Sequence, residues 1–260
     1  MSLLSTIYNE ILFKPLFNAL VFLTSVVPFA DLGVAVVILT VIVRFVIFPF
    51  THKSIKTQAK MREIEPELKK IRSETNGKQE EQARRTMELY KRHGVSPFSG
   101  CLLLLIQLPI LIALYQLFIK DISASLSLLY PFVSPPEGIR FMFLGLVDMT
   151  KSSIPMAVIA ALSQYFQMRL AMPSKTIEQK AESRSFQNDF QKMFSQQAAY
   201  IFPVIILIIS LKFPAAVALY WTTSNIFASV HEYIVKRKSQ VQQNDRGPEA
   251  KSSKHSTVHT

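Results

Sequence analysis

Residues 37–50 read VILTVIVRFVIFPF, thirteen uncharged side chains around one arginine, Arg44. A guanidinium inside an apolar run is costly, and most costly where the surroundings are hydrocarbon. The apolar stretch begins near residue 32, and further uncharged runs follow at 101–119, 152–168, 197–211 and 213–230. Most approach the ~20 residues that cross a ~30 Å hydrocarbon core. With 49% hydrophobic residues in a chain of 260, five such blocks predict an all-α membrane protein with five transmembrane helices. The richness in β-branched residues does not argue for strands, because open sheet edges cannot sit in lipid.

The net charge of +11 would suit a nucleic-acid partner in a soluble protein. Here its distribution follows the loops. Residues 53–96 hold 12 Lys and Arg, 169–196 hold 5, and the stretch from 236 onward holds 6. The intervening segments hold Lys14, Lys120, Arg140, Lys151 and Lys212 only. This alternation predicts an amino end outside and a carboxyl end in the cytosol. Cys101 is the single cysteine, so no internal disulfide forms. The start has neither a basic leader nor a small-x-small cleavage site, and is read as no cleavable signal.

Residues 1–30 are read as an amphipathic outer-surface helix. Leu3, Leu4, Ile7 and Ile11 recur at helical spacing opposite Thr6, Asn9, Glu10 and Lys14. Residues 11–30 could also be forced across as a sixth span, and loop charge does not separate the two. Residues 31–236 form the five-span core. Within it, 53–96 is a cytosolic hairpin of two helices near 54–73 and 78–92, turning at ETNGK. Pro109 is expected to kink the second span, and residues 141–144 to hug the interface. Residues 172–196 are a polar cytosolic loop, and 237–260 a disordered basic cytosolic tail.

No catalytic or nucleotide motif is present: there is no G-x-S-x-G, H-E-x-x-H or glycine-rich phosphate loop. The five histidines fall in cytosolic segments, the tail or span ends, so neither enzyme activity, metal nor cofactor is expected. What remains is a sparse polar set within the spans. Arg44 and Thr40 share a face of span 1, Gln107 lies in span 2, Gln164 and Gln167 share a face of span 3, and Trp221 and Asn225 lie in span 5. None of these spans carries a deep acidic partner for Arg44. Three arrangements would keep the arginine there: snorkelling towards the cytosol, bonding to carbonyls and glutamines in a dry core, or lining a wet cavity. Taken singly, the glutamines read as helix glue and Trp221 as an interface residue.

The stretch HGVSPFSGCLLLLIQLPILIALYQLF (93–118) resembles the YidC/Oxa/Alb family of membrane protein insertases. The matching positions are Gly94, Val95, Pro97, Gly100, Cys101, Ile106, Gln107, Pro109, Ile110 and Tyr115. FPAAVALYW (213–221) is similar to the element that opens the family's last span, and VILTVIVRFVIFPF to its arginine-bearing first core span. Leu102–Leu105 lack the proline common after the cysteine, and Ser96 stands where asparagine is usual. The resemblance covers roughly 32–236 and is to the short form of the family. It implies a bacterial plasma-membrane protein whose helices enclose a hydrophilic groove, open to cytosol and lipid and closed outside. Arg44, Gln167 and Trp221 match its groove arginine, glutamine and tryptophan. It further implies nascent membrane proteins and the lipid bilayer as partners, with the ribosome, the signal recognition particle pathway and the Sec translocon as further ones, and no DNA. The competing reading from the residues is a small polytopic transporter or channel with a polar cavity.

Overall fold

The computed structural model describes residues 3–75, 78–96, 99–119, 127–134, 138–171 and 200–245. The predicted loop 172–196 and the tail beyond Asp245 lie outside them.

Leu3–Tyr8 (α1) passes through a π-helical turn, Asn9–Phe13, into Lys14–Val26 (α2) with helical backbone throughout. Pro15 explains the widened turn, since its missing N–H cannot bond to the carbonyl four residues back. Phe13, Leu16, Phe17, Leu20 and Val21 are buried, whereas Ile11, Phe22 and Val26 are exposed. A short 3₁₀ turn, Pro28–Ala30, leads into Leu32–Val46 (α3). The helix pair is about 36 Å long at 1.5 Å per residue. The Tyr8 hydroxyl donates to Gln116, near the C-terminus of the helix Ser99–Ile119, at 3.3 Å. Midway, Asn18 Nδ2 donates to the Lys14 carbonyl at 2.8 Å and the Leu128 carbonyl at 3.0 Å, and Asn18 Oδ1 accepts from Tyr130 N–H at 2.6 Å. Asn18 is 3% exposed, and Asn18→Ala leaves the Leu128 carbonyl and the Tyr130 N–H without this partner. The expected cost is about 2 kcal/mol, read as a lowered unfolding midpoint in detergent.

Asp31 caps α3: one carboxylate oxygen accepts from Val34 N–H at 3.1 Å and the other from Leu144 N–H at 2.7 Å. Leu144 belongs to the turn of a small antiparallel hairpin, Met142–Phe143 (β1) with Val147–Asp148 (β2). Leu144 and Gly145 both adopt positive φ, +51° and +73°. That is the left-handed pair that tight hairpin turns favour. Residues 141–144, expected to hug the interface, thus form half of a hairpin. Arg140 bonds on both sides of Asp31, its N–H to Ala30 O and its carbonyl from Leu32 N–H, each at 3.0 Å.

The first predicted span is a helix that ends earlier than its hydropathy suggests. α3 stops at Val46, and Phe48–Glu63 (α4) leaves at 65° to it. Pro49 lacks the N–H that would continue the ladder across the break. The predicted helix 54–73 is likewise divided, because Pro66 starts a new one, Glu65–Glu74 (α5). Gln79–His93 (α6) folds back on α5 around Ile64, Leu68, Leu89, Tyr90 and Val95. Gly94, at φ +60°, ends α6 by donating to Tyr90 and Lys91 carbonyls.

Ser99–Ile119 (α7) runs on through Pro109. Ile154–Ala171 (α8), Tyr200–Lys212 (α9) and Ala215–Asp245 (α10) complete the bundle. The first amides of α10 bond to Lys151 O and Met149 O, at 2.8 and 3.2 Å, which ties its start to the hairpin end. At the opposite end, Lys236 donates to Leu170 O and pairs with Glu232 at 3.7 Å, closing the C-terminus of α8 onto α10. The helix α10 continues to Asp245, so residues 237–245, expected to be disordered, are helical.

Large apolar side chains lie on the outside of the bundle as well as in its core. Ala157 and Ala160 of α8 and Ala215, Ala216 and Ala218 of α10 are fully buried. Large aliphatic and aromatic side chains face outward, including Ile42 and Phe45, Leu105, Leu162 and Phe166, Ile205 and Ile208, and Ile226 and Val230. Small residues between helices with large apolar ones outside is the pattern of helix association in lipid. Among the described residues no single helix is long and apolar enough to cross a membrane; α3 with α4 passes only as a bent pair. Gln164, Gln167 and Arg169 lower the hydropathy of α8, and residues 221–225 with His231 and Glu232 that of α10.

Candidate functional site

The polar side chains of α7, α8 and α10 converge on one short stretch of α10, residues 220–225. Positions four apart on a helix share a face. Trp221 and Asn225 therefore face one neighbour, α8, while Tyr220 faces another. Trp221 Nε1 donates to Gln164 Oε1 at 3.2 Å, and Gln164 Nε2 reaches Gln167 Oε1 at 3.5 Å. One turn further, Asn225 Nδ2 donates to Ser163 Oγ at 3.0 Å. On the other face, Gln107 of α7 donates to the Tyr220 hydroxyl. Tyr220 is 2% exposed and lies near Arg44.

Arg44 is half-buried in the last turn of α3. It makes no ion pair or hydrogen bond to another described residue, and α3, α7, α8 and α9 contain no Asp or Glu. The first acidic residue of α10 is Glu232, already engaged by Lys236. Thr40, one turn back, is 2% exposed and donates to Val36 O at 2.6 Å. Its hydroxyl is spent on its own helix, so Thr40 shares a face with Arg44 without adding a free donor.

Of the seven candidates, the structure joins Gln164, Gln167 and Trp221 in one chain of contacts and sets Asn225 a turn away. Gln107 bonds to Tyr220, Arg44 lies near that tyrosine without a bond to it, and Thr40 stands apart. Tyr220 and Ser163 were not singled out from sequence. Tyr220 was visible in FPAAVALYW, and its place one residue before Trp221 fixes it on a neighbouring face of the same helix. Ser163 carried no signal beyond adjacency to Gln164.

The set holds donors, acceptors and one cation, with no nucleophile–base pair. Among the described residues, no three His, Cys, Asp or Glu side chains gather to hold a metal. A family model described as "60Kd inner membrane protein" matches residues 22–243. The chain belongs to that family. The match takes in α3 to α9 and all but the last two residues of α10, and with them every polar residue above.

Relatives are similar over most of the chain. "Membrane protein insertase YidC 2" of Bacillus anthracis is 29% identical over 252 residues, 95% of this chain and 84% of that protein. "Membrane protein insertase YidC" of Oceanobacillus iheyensis is 30% identical over 210 residues, 79% of this chain and 74% of that protein. A solved structure described as "Active YidC insertase crystal structure with the first transmembrane domain resolved" superposes at TM-score 0.55 and 23% identity. The superposition covers 87% of this chain and 46% of that one, so the two share a fold. In this 60Kd family member, the half-buried arginine and the α10 polar stretch lie inside the matched region.

Proposed function

We propose that this protein is a membrane protein insertase of the bacterial plasma membrane. In this reading five helices, α3, α7, α8, α9 and α10, span the bilayer, and Arg44 with the 220–225 stretch lines a groove open to the cytosol. The groove receives the hydrophilic tail of a nascent membrane protein, and the client's apolar span leaves sideways into lipid. The observation that carries the proposal is Arg44: a half-buried cation with no acidic side chain on α3, α7, α8 or α9, beside a belt of hydrogen-bonding groups. Such a cation attracts an anionic segment, which supplies the missing charge partner for as long as it stays.

Two further features support the arrangement. The buried alanines between α8 and α10 and the large apolar side chains on the outside suit lipid. The contacts of α1–α2 with the end of α7 and with residues 128–130 involve the β-hairpin end of the bundle. They favour a helix lying along the outer surface over a sixth span. The charged arm α4–α6 lies at the opposite end and suits the cytosolic side.

The test is reconstitution into liposomes with a single-span client bearing a short acidic translocated tail. A protease-protected fragment is expected only in vesicles that contain the protein. A cysteine at position 167, half-buried on α8, in a Cys101→Ser background, is expected to react with an impermeant thiol reagent from the α4–α6 side only. Absence of protection would remove the insertase assignment. Reaction from both sides in alternation would point to a transporter instead.

A further inference from the structure

His52 and His231 are 179 residues apart in sequence, yet their rings meet where α4 leaves the bundle. His52 Nδ1 and His231 Nε2 are 3.0 Å apart, with ring planes within 9° and centroids 5.3 Å apart. The 3.0 Å gap plus the half-width of each ring accounts for the whole centroid distance. Both nitrogens therefore lie on the line joining the rings, and the rings meet edge to edge in one plane rather than stacking. That is the geometry of a single N–H···N hydrogen bond. It does not suit a metal ion, which would need its donors turned towards a common point and room between them.

The surroundings make this contact a joint. Phe48 stacks on His231 at 4.4 Å and lies 5.5 Å from His52. Thr51, Ser54 and Ile55, around His52 on α4, are buried, as is His231 at 6% exposure. The arm α4–α6 is thus held to the helix that carries Tyr220, Trp221 and Asn225.

An imidazole pair of this kind counts protons. With both rings neutral, one donates and the other accepts. One added proton leaves the bond intact, because an imidazolium still donates to a neutral partner. A second proton sets two N–H groups head to head and two like charges in contact. The charged neighbours do not relieve this. The charged residues nearest in sequence on α4 are Lys53 and Lys56; among the helices of the bundle α3 carries Arg44, α8 carries Arg169 over the Tyr165 ring, and α7 carries none. On α10, Glu232 is paired with Lys236. The second proton binds more readily to the open joint than to the closed one, so falling pH favours opening.

We infer that His52 and His231 form an acid-sensitive latch, closed with at most one extra proton and opened by two, which releases the α4–α6 arm from α10. The latch belongs to this chain's own packing, and its test needs no client. Spin labels would be placed at the exposed positions 84 on α6 and 233 on α10, in a Cys101→Ser background, and their distance measured in liposomes. One narrow distance is expected at pH 7.5. A second population is expected at pH 5, more than a unit below the ordinary histidine value of about 6.5. In His52→Gln the amide still donates to His231 but the pair holds one titratable ring, so one narrow distance is expected at both pH values. In His231→Phe, which fills the space without accepting a bond, two populations are expected at both. An unchanged wild-type distance at pH 5 would overturn the latch. So would the same acid response in His52→Gln as in wild type.

Discussion

Arg44→Glu is expected to abolish insertion of a client with a short acidic tail. With a carboxylate of the tail about 7 Å away and an effective dielectric constant of about 20, a unit charge contributes about 2 kcal/mol. Removing the charge in Arg44→Ala therefore costs about thirtyfold in the insertion rate, and reversing it costs the square of that. Arg44→Lys keeps the charge and is expected to stay within about threefold of wild type. The readout is the protease-protected fraction over time in reconstituted vesicles. A client with an uncharged tail provides the internal control, since all four proteins are expected to insert it at similar rates. Equal insertion of the acidic client by all four would place the guanidinium among snorkelling residues and leave insertion to the rest of the groove.

The second large effect is expected at Gly33→Val. A Cβ built on Gly33 would lie 2.3 Å from Phe143 Cδ2, 2.5 Å from Cγ and 2.6 Å from Cβ. The last of these sits on the backbone of β1, so no rotation of the ring relieves the clash. The hairpin has to lift from α3. That movement strains the bond from Leu144 N–H to Asp31 and the paired backbone bonds between Arg140 and residues 30 and 32. Overpacking of this kind costs about 3 kcal/mol, before the lost hydrogen bonds are counted. The expected result is a lowered unfolding midpoint in detergent, with Gly33→Ala falling in the same direction. An unshifted midpoint in Gly33→Val would mean that the hairpin is not seated on α3.

The apolar runs, Arg44 and the span glutamines were legible because each is a local departure from the composition around it. The arrangement between helices was not. Tyr220 reads as part of an apolar stretch until its hydroxyl is seen beside Gln107, and no spacing rule connects His52 to His231. The break at Ile47 could have been taken from Pro49, whose missing N–H interrupts α3 before the apolar composition ends. The hairpin turn left a trace in Gly145, but the positive φ of Leu144 is held by Asp31, more than a hundred residues upstream. The helical extension past residue 236 was misjudged for a different reason. A run rich in Lys, Gln and Ser looks disordered alone, yet Lys and Gln are good helix formers. Once α10 is nucleated, adding residues to it costs little.

That extension has a mechanical side. From Ala215 to Asp245 the backbone is one helix of 31 residues, about 46 Å long at 1.5 Å per residue. Tyr220, Trp221 and Asn225 sit near one end, and residues 237–245 project past the cross-link of Lys236 to α8. The cross-link is a fulcrum, and the projecting end is the handle of a lever. A sideways load on that handle is delivered as a tilt of the indole and amide groups at the other end, with no loop in between to absorb it.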